Sequence, residues 1–374
     1  MALFGSGPKT ESIALIDIDS TSIGAAVSVH TKGSLPTLIY TNRISIQRRD
    51  HEEHVDAMLR VLAEISDDLV IRGSPIVRQQ TGSGRISRII ASIGAPWQKT
   101  LVRVQSVSKT KPFAFTHALL SELVQKAVDV PEGYEKYDES VISTMLNGYD
   151  IPHPFGKHAL RADIVILSSL LEKEAATKVE KLLRKTYHTH ALTLTAFAPI
   201  AYSLLRNLFI HEKDFLVLHI SGESTDVAFM KQGQLVDTLS SEQGIQGLER
   251  LVQDKANKSH VGALIDAARN GTYESSVREA EKEWLTMIRS TLSSLAEHHP
   301  LPRTVFLLAD AGSRMYLAQL LDAPEIRSLW LSDDPLRIVP IQPSHLAPFI
   351  QVRGEAEGDI SLGLLGLFAN RNTH

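Results

Sequence analysis

Unbroken apolar runs open the same layout at two distant places in the chain. In the first, Ile13-Ala-Leu-Ile16 leads through Asp17-Ile18-Asp19 into a polar turn, Ser20-Thr21-Ser22, returns as Ile23-Gly24-Ala-Ala-Val27 and turns again at Thr31-Lys-Gly33. In the second, Phe215-Leu-Val-Leu-His219-Ile220 leads into Ser221-Gly222-Glu223-Ser224, returns as Thr225-Asp226-Val-Ala-Phe229 and turns at Lys231-Gln-Gly233. Apolar runs of this length between turn residues predict buried strands paired as hairpins. Short hydroxyl residues and glycine at the turns leave room to aim hydroxyls and backbone N–H groups at an anion. One such hairpin is an ordinary turn. Its repetition predicts two hairpins that face each other and grip a phosphate chain from both sides.

Between the hairpins strands and helices alternate, the pattern of a layered α/β protein. Asp50 and Glu53 predict a capping box for a helix with Val55, Met58, Leu59, Leu62, Ile65 and Leu69 on one face. The polar stretch Gln79 to Arg85 reads as a hinge. A compact module of about 100 residues follows. Its strands are expected near Arg88 to Ala95, Leu101 to Ser106, Val141 to Leu146 and Ala159 to Leu167. One helix carries Leu119, Leu120, Leu123, Val124 and Val128, and a closing helix, started by Ser169 and Glu172, carries Ala175, Val179 and Leu182. In the second half, Gly244 and Gly247 punctuate the entry to a helix, and Trp284, Met287, Ile288, Leu292 and Leu295 share the inner face of a long one. Thr304 to Leu308 predicts a buried strand, and Ala309-Asp310-Ala311-Gly312-Ser313-Arg314 turns it into a helix near Met315. Such a loop, between a strand's carboxyl end and a helix N-terminus, is where open α/β sheets bind ligands. It is the third piece of an expected nucleotide site.

Composition narrows the function. A net charge of −4 offers nucleic acid no broad attraction, and the absence of cysteine removes disulfides, thiolate zinc sites and thiol nucleophiles. Met1 to Ser12 has no signal-peptide apolar core. Ile360 to Ala369 is half of the ~20 apolar residues a membrane span needs and reads as a core helix. A cytoplasmic location without direct membrane insertion is expected. His51 and His54 have a spacing seen in zinc sites, but a solvated first helical turn is the preferred reading. His188 and His190 lack a carboxylate to complete a site.

These residues resemble the actin/Hsp70/sugar-kinase superfamily, and within it the FtsA/PilM type, over nearly the whole chain from Ile13 to Asn370. Asp17-Ile18-Asp19-Ser20 stands where that family has its first phosphate loop, Asp-Ile-Gly-Ser. His219-Ile220-Ser221 through Thr225-Asp226 stands at the second phosphate loop, and Asp310-Ala311-Gly312-Ser313 at the adenosine loop. Leu146-Asn147-Gly148-Tyr149 and His153-Pro154-Phe155-Gly156-Lys157 resemble the Asn-Pro-x-Gly segment of the domain inserted in FtsA and PilM. The resemblance implies an α/β fold: an actin-like (ribonuclease H-like), duplicated two-lobed architecture with an inserted small α/β subdomain. The expected boundaries are 11–85 and 187–212 for the first lobe, 86–186 for the insertion and 213–370 for the second lobe, with a helical subdomain at about 251–300.

The resemblance further implies ATP with Mg²⁺ held by Asp17, Ser20, Thr21, Ser22, Gly222, Glu223, Ser224, Thr225, Gly312, Ser313 and Arg314, with Asp17 as the metal ligand and no catalytic residue assigned. Departures weaken that implication. Asp19 replaces a glycine beside the phosphates, Gly24 a neutralising lysine, and His219 an aspartate that holds the magnesium shell; Asp310 and Ala311 replace glycines against the nucleotide. Weak ATP binding and little hydrolysis are expected. A PilM-like role follows: a cytoplasmic scaffold of a type IV pilus machine, peripheral to the inner membrane, whose inserted subdomain receives the tail of a PilN-like inner-membrane protein. Self-assembly is a further expectation. The alternatives are an FtsA-like cell-division filament and an active ATPase or small-molecule kinase.

Overall fold

The computed structural model describes residues 10–126, 130–256, 275–330 and 336–371. The first apolar run folds as a three-stranded meander of β1 (Thr10–Ile18), β2 (Ser22–Thr31) and β3 (Thr37–Ser45). Helix α1 (His54–Asp68) continues through a π-helical turn at Leu69–Gly73 into α2 (Ser74–Thr81), and β4 (Arg88–Ile93) then lies parallel to β1. Next come β5 (Gln98–Ala114), α3 (His117–Gln125), β6 (Tyr134–Leu146), β7 (Tyr149–Asp150) and β8 (His158–Glu172). Helix α4 (Lys173–Tyr187), β9 (Leu192–Ala196) and α5 (Phe197–Leu208) return the chain to the first sheet.

The second meander is β10 (Phe215–Ile220), β11 (Thr225–Lys231) and β12 (Gln234–Ser241). It is followed by α6 (Ile245–Ala256), α7 (Ser275–Ala296), β13 (Thr304–Ala309), α8 (Arg314–Leu321), the short α9 (Pro324–Arg327), β14 (Arg337–Pro340) and the short α10 (Pro343–Leu346). Strand β15 (Gln351–Glu355) and helix α11 (Ile360–Arg371) complete the described chain.

The sheets have the orders β15-β3-β2-β1-β4-β9, β12-β11-β10-β13-β14 and β5-β8-β6-β7. Without β15, the first two share one topology: an antiparallel hairpin and its third strand on one side, two parallel strands on the other. The molecule is therefore a duplicated two-lobed α/β fold with a smaller sheet inserted between β4 and β9. Central strands β1 and β10 are covered on both faces, which explains why each reads as a continuous apolar run rather than an alternation. The two hairpins lie in different sheets and meet tip to tip.

Several local expectations change. Glu53 is the N-cap of α1 but makes no side-chain cap bond; the neighbouring Glu52 carboxylate instead accepts from the Arg49 amide and from Arg60. Ser169 lies within β8 rather than at a helix start, and α4 begins after Glu172 without a side-chain cap. The stretch expected to form a hinge from Gln79 is helical through Thr81, and the helix stops at Gly82, whose φ of 75° suits a left-handed C-terminal cap.

The inserted sheet is also narrower than 86–186. Strand β4 is internal to the six-stranded sheet, and α4 buries Ala175, Ala176, Val179 and Leu183 in the first-lobe core beside α1. Removing 85–186 would tear a central strand from the first lobe. The far end differs too: β15 pairs with β3, and α11 packs with α5 against β1 and β2, so this segment joins the first lobe rather than the second. Of the helical subdomain expected at about 251–300, residues 257–274 lie outside the described residues.

Candidate functional site

Each hairpin tip satisfies its own backbone. At the first, the Asp19 amide donates to the Ser22 carbonyl at 3.0 Å, and the Ser20 hydroxyl donates to Asp19 Oδ1 at 2.9 Å. At the second, the Ser221 amide donates to the Ser224 carbonyl, and the Ser224 amide to Ser221 Oγ. The tips then bond each other: the Glu223 amide donates to Ser20 Oγ at 3.3 Å. A Cβ on Gly222 would lie 2.0 Å from Thr21 Cγ2 and 2.7 Å from Ser20 Oγ, so the two turns touch over a bare backbone. The third loop, the one expected to meet adenosine, closes on itself as well, with the Gly312 amide donating to Asp310 Oδ2 at 3.0 Å.

Asp17, the expected metal ligand, is 4% exposed, and both its oxygens are taken. Ser92 Oγ donates to Oδ1 at 3.0 Å and Arg43 Nη2 to Oδ2 at 2.8 Å. Burial pushes the Asp17 carboxyl above its ordinary range although Arg43 pulls it down. The same guanidinium donates Nε to Asp359 Oδ2 at 2.7 Å and Nη1 to Ser22 Oγ at 2.9 Å. Burial acts to raise Asp359, but Arg43 and the amides of Leu362 and Ser361 outweigh it and hold the carboxyl below its usual range.

Strand register explains how Arg43 arrives. Asp17 pairs across to Gly24 and Gly24 to Arg43, so the three residues form one row across β1, β2 and β3. A Cβ on Gly24 would lie 2.5 Å from Arg43 Nη2. The arginine crosses over a position without a side chain, and any side chain at 24 would expel it. A cation is therefore present, delivered from β3 instead of β2.

The cleft between the three loops encloses about 90 Å³, walled by Thr21, Ser22, Arg43, Gly222, Ser313 and Arg314 among others. Ligand pockets run to roughly 300–1,000 Å³. A nucleotide with magnesium does not fit this arrangement: the tips are in contact, the carboxylate is bonded to arginine, and the space is too small. Of the other expected site residues, Glu223 and Ser224 line a different cavity beyond the hairpin, and Thr225 Oγ1 donates to the Gln243 carbonyl at 2.6 Å.

His54 departs from the solvated reading. Its ring lies 4.7 Å from that of Trp97, Nε2 is 2.9 Å from the Ser20 carbonyl, and Nδ1 is 3.5 Å from Glu223 Oε2, so it ties the two lobes together. Burial lowers its pKa, but the Glu223 carboxylate and the Ser20 carbonyl outweigh burial and raise it above the ordinary 6.5. The bond from His54, the largest influence on Glu223, holds that carboxyl below its ordinary 4.5. His54 contributes fully below its unfolded pKa, and its contribution is lost as pH rises through the elevated folded value. Glu223 contributes above its unfolded pKa, and its contribution is lost as pH falls through the depressed value. Lobe closure is thus expected to be firmest from about pH 5 to 6.5 and to loosen in alkali. Fluorescence transfer between dyes on the two lobes checks this; Glu223→Gln is expected to abolish the alkaline change.

No family model matches this chain, and no curated protein does. Among solved structures, a PilM–PilN type IV pilus biogenesis complex superposes with a TM-score of 0.64 at 16% identity, covering 96% of this chain and 98% of that one. The fold is the one that PilM takes in that complex. A protein of actin-like ATPase fold and unknown function from Bacteroides thetaiotaomicron aligns over 98% of both chains at 9% identity with a TM-score of 0.44. Among the described residues no helix is long and apolar enough to cross a membrane, and no cluster of three His, Asp or Glu could hold a metal.

Proposed function

We propose that this chain is a PilM-like cytoplasmic scaffold of a type IV pilus machine that docks the cytoplasmic tail of a PilN-like inner-membrane protein. The likeness in fold to PilM, solved in complex with PilN and matched along nearly the whole chain, is the observation that carries this reading. A groove of about 600 Å³ between α1 and the inserted sheet supplies the physical site. Its walls include the half-buried rings of His54 and Tyr134, on which a peptide's apolar side chains pack, with His54 backed by the buried Trp97. Glu53, Asp56, Glu132, Glu172 and Glu174 outnumber the groove's lysine, Lys178, which is itself paired to Glu174 at 2.7 Å. The tail that fits is extended and basic. The unit that receives it is the inserted sheet, with the first lobe as the opposite wall.

Glu172→Lys combined with Glu174→Lys is expected to weaken binding of a synthetic PilN-like tail about tenfold by reversing charge at the groove. Fluorescence anisotropy with a labelled tail measures it, and unchanged affinity would move the docking site elsewhere.

In the same reading ATP binds weakly between Ser20 to Ser22, Gly222 to Thr225 and Gly312 to Arg314, only after the lobes separate and without Asp17, which Arg43 and Ser92 hold within the first lobe, and hydrolysis is slow or absent. Phosphate release is expected far below the ~10 per second median of enzymes. A turnover near that median would contradict the scaffold reading and favour an ATPase.

A further inference from the structure

We propose that the cavity between β5, the β11–β12 edge and α5 is a binding site for a small organic cation, held by Asp226. The cavity encloses about 680 Å³, within the range of small-molecule sites. It lies where three units meet: Gln98 to Leu101 of the inserted sheet, Tyr202 of the first lobe, and the back of the second hairpin.

Asp226 lines this cavity and is only 6% exposed. Ser240 Oγ donates to its Oδ1 at 2.7 Å, while Oδ2 is buried with no hydrogen-bond partner. Its cross-strand neighbour, His219, does not supply one, since His219 Nδ1 is likewise without a partner. A buried polar atom left unpaired is costly, and a missing ligand is one of the few physical reasons for a fold to keep it.

The remaining charges on the wall balance. Lys99 and Arg250 match Glu223 and Glu242 in number, which leaves Asp226 as the third carboxylate on the wall, pushed up by burial and pulled down by its neighbour His219. Leu101, Leu239 and Pro96 add apolar wall suited to a short methylene stem. Together these features select an ammonium or guanidinium on a short aliphatic chain. Ser224 of the second hairpin is part of the same wall, so an occupant touches the nucleotide-type turn and the inserted sheet at once. This site adjoins the docking groove, sharing Pro96 and Tyr134 with it, but Asp226 and Leu101 belong to its wall and not to the groove's, so substitutions there test it apart from tail binding.

Isothermal titration of the full chain with agmatine, against acetate as control, tests the proposal. Agmatine is expected to bind and acetate not. Asp226→Asn, which keeps the shape and removes the charge, is expected to weaken agmatine about tenfold, the scale of a lost charged hydrogen bond. Leu101→Trp at the cavity wall gives a second variant, expected to weaken it comparably by filling space, with circular dichroism confirming that both variants fold. A decapeptide with one central arginine separates a free cation from a partner's side chain: the source is whichever of agmatine and peptide loses affinity in Asp226→Asn, since peptide held only in the docking groove is unaffected by that change. No agmatine binding, or binding unchanged in both variants, overturns the site.

Discussion

Replacing Arg43 by methionine is expected to destabilise the protein by about 3 kcal/mol, because it strands two carboxylates that share one guanidinium. Asp17 has 5% of its side chain exposed and Asp359 19%, so water reaches neither freely. Breaking a buried pair from one side costs about 3–5 kcal/mol. The lower end applies here because Arg43 keeps 24% of its own side-chain surface in solvent. Denaturant unfolding measures the loss. Adding Asp17→Asn and Asp359→Asn to Arg43→Met is expected to recover most of it, since no charge is then left unpaired. If the triple variant is no more stable than Arg43→Met, lost packing rather than charge governs the site.

Gly222→Ala is the second large effect. The new methyl has no room at 2.0 Å from Thr21 Cγ2, so either the turns part or the side chains strain. Overpacking of this kind costs about 1–3 kcal/mol. Thr21→Ala removes the opposing methyl and is expected to return most of that energy to the double variant, although Thr21→Ala alone does little. The coupling between the two substitutions measures the contact between lobes, since uncoupled sites would add. X-ray scattering of Gly222→Ala is expected to report a more open particle.

What the sequence revealed and what it hid follow from range. The twin hairpins were legible because Ile13 to Ile18 and Phe215 to Ile220 are buried on both faces, which writes an unbroken apolar run into the chain. The turn at 310–313 was legible from the strand-to-helix change after Leu308. Arg43 was not. In Thr41-Asn42-Arg43 it looks like any polar strand end, and only the register that sets it beside Gly24 gives it a role. Asp359 carries a local signal: it stands just before a helix and accepts from the Leu362 amide at 2.9 Å, the habit of an N-cap. Periodicity could not assign β15 and α11 to the first lobe, because their partners lie at the opposite end of the chain. The paired strand repeats predicted a cleft between two grips. They could not reveal that the grips are shut on each other.

That return of β15 and α11 has a consequence for how the polypeptide is made. Arg88 of β4 donates to the Ala369 carbonyl of α11, 281 residues further on. While the ribosome is still adding the second lobe, β3 has no outer neighbour, and Leu15 and Leu38 lack the apolar helix that later covers them. Nascent domains ordinarily fold in order as they emerge, and a core left uncovered in the meantime invites aggregation. Here the half translated first is sealed last, so the nascent chain is expected to engage holdase chaperones until α11 has cleared the exit tunnel.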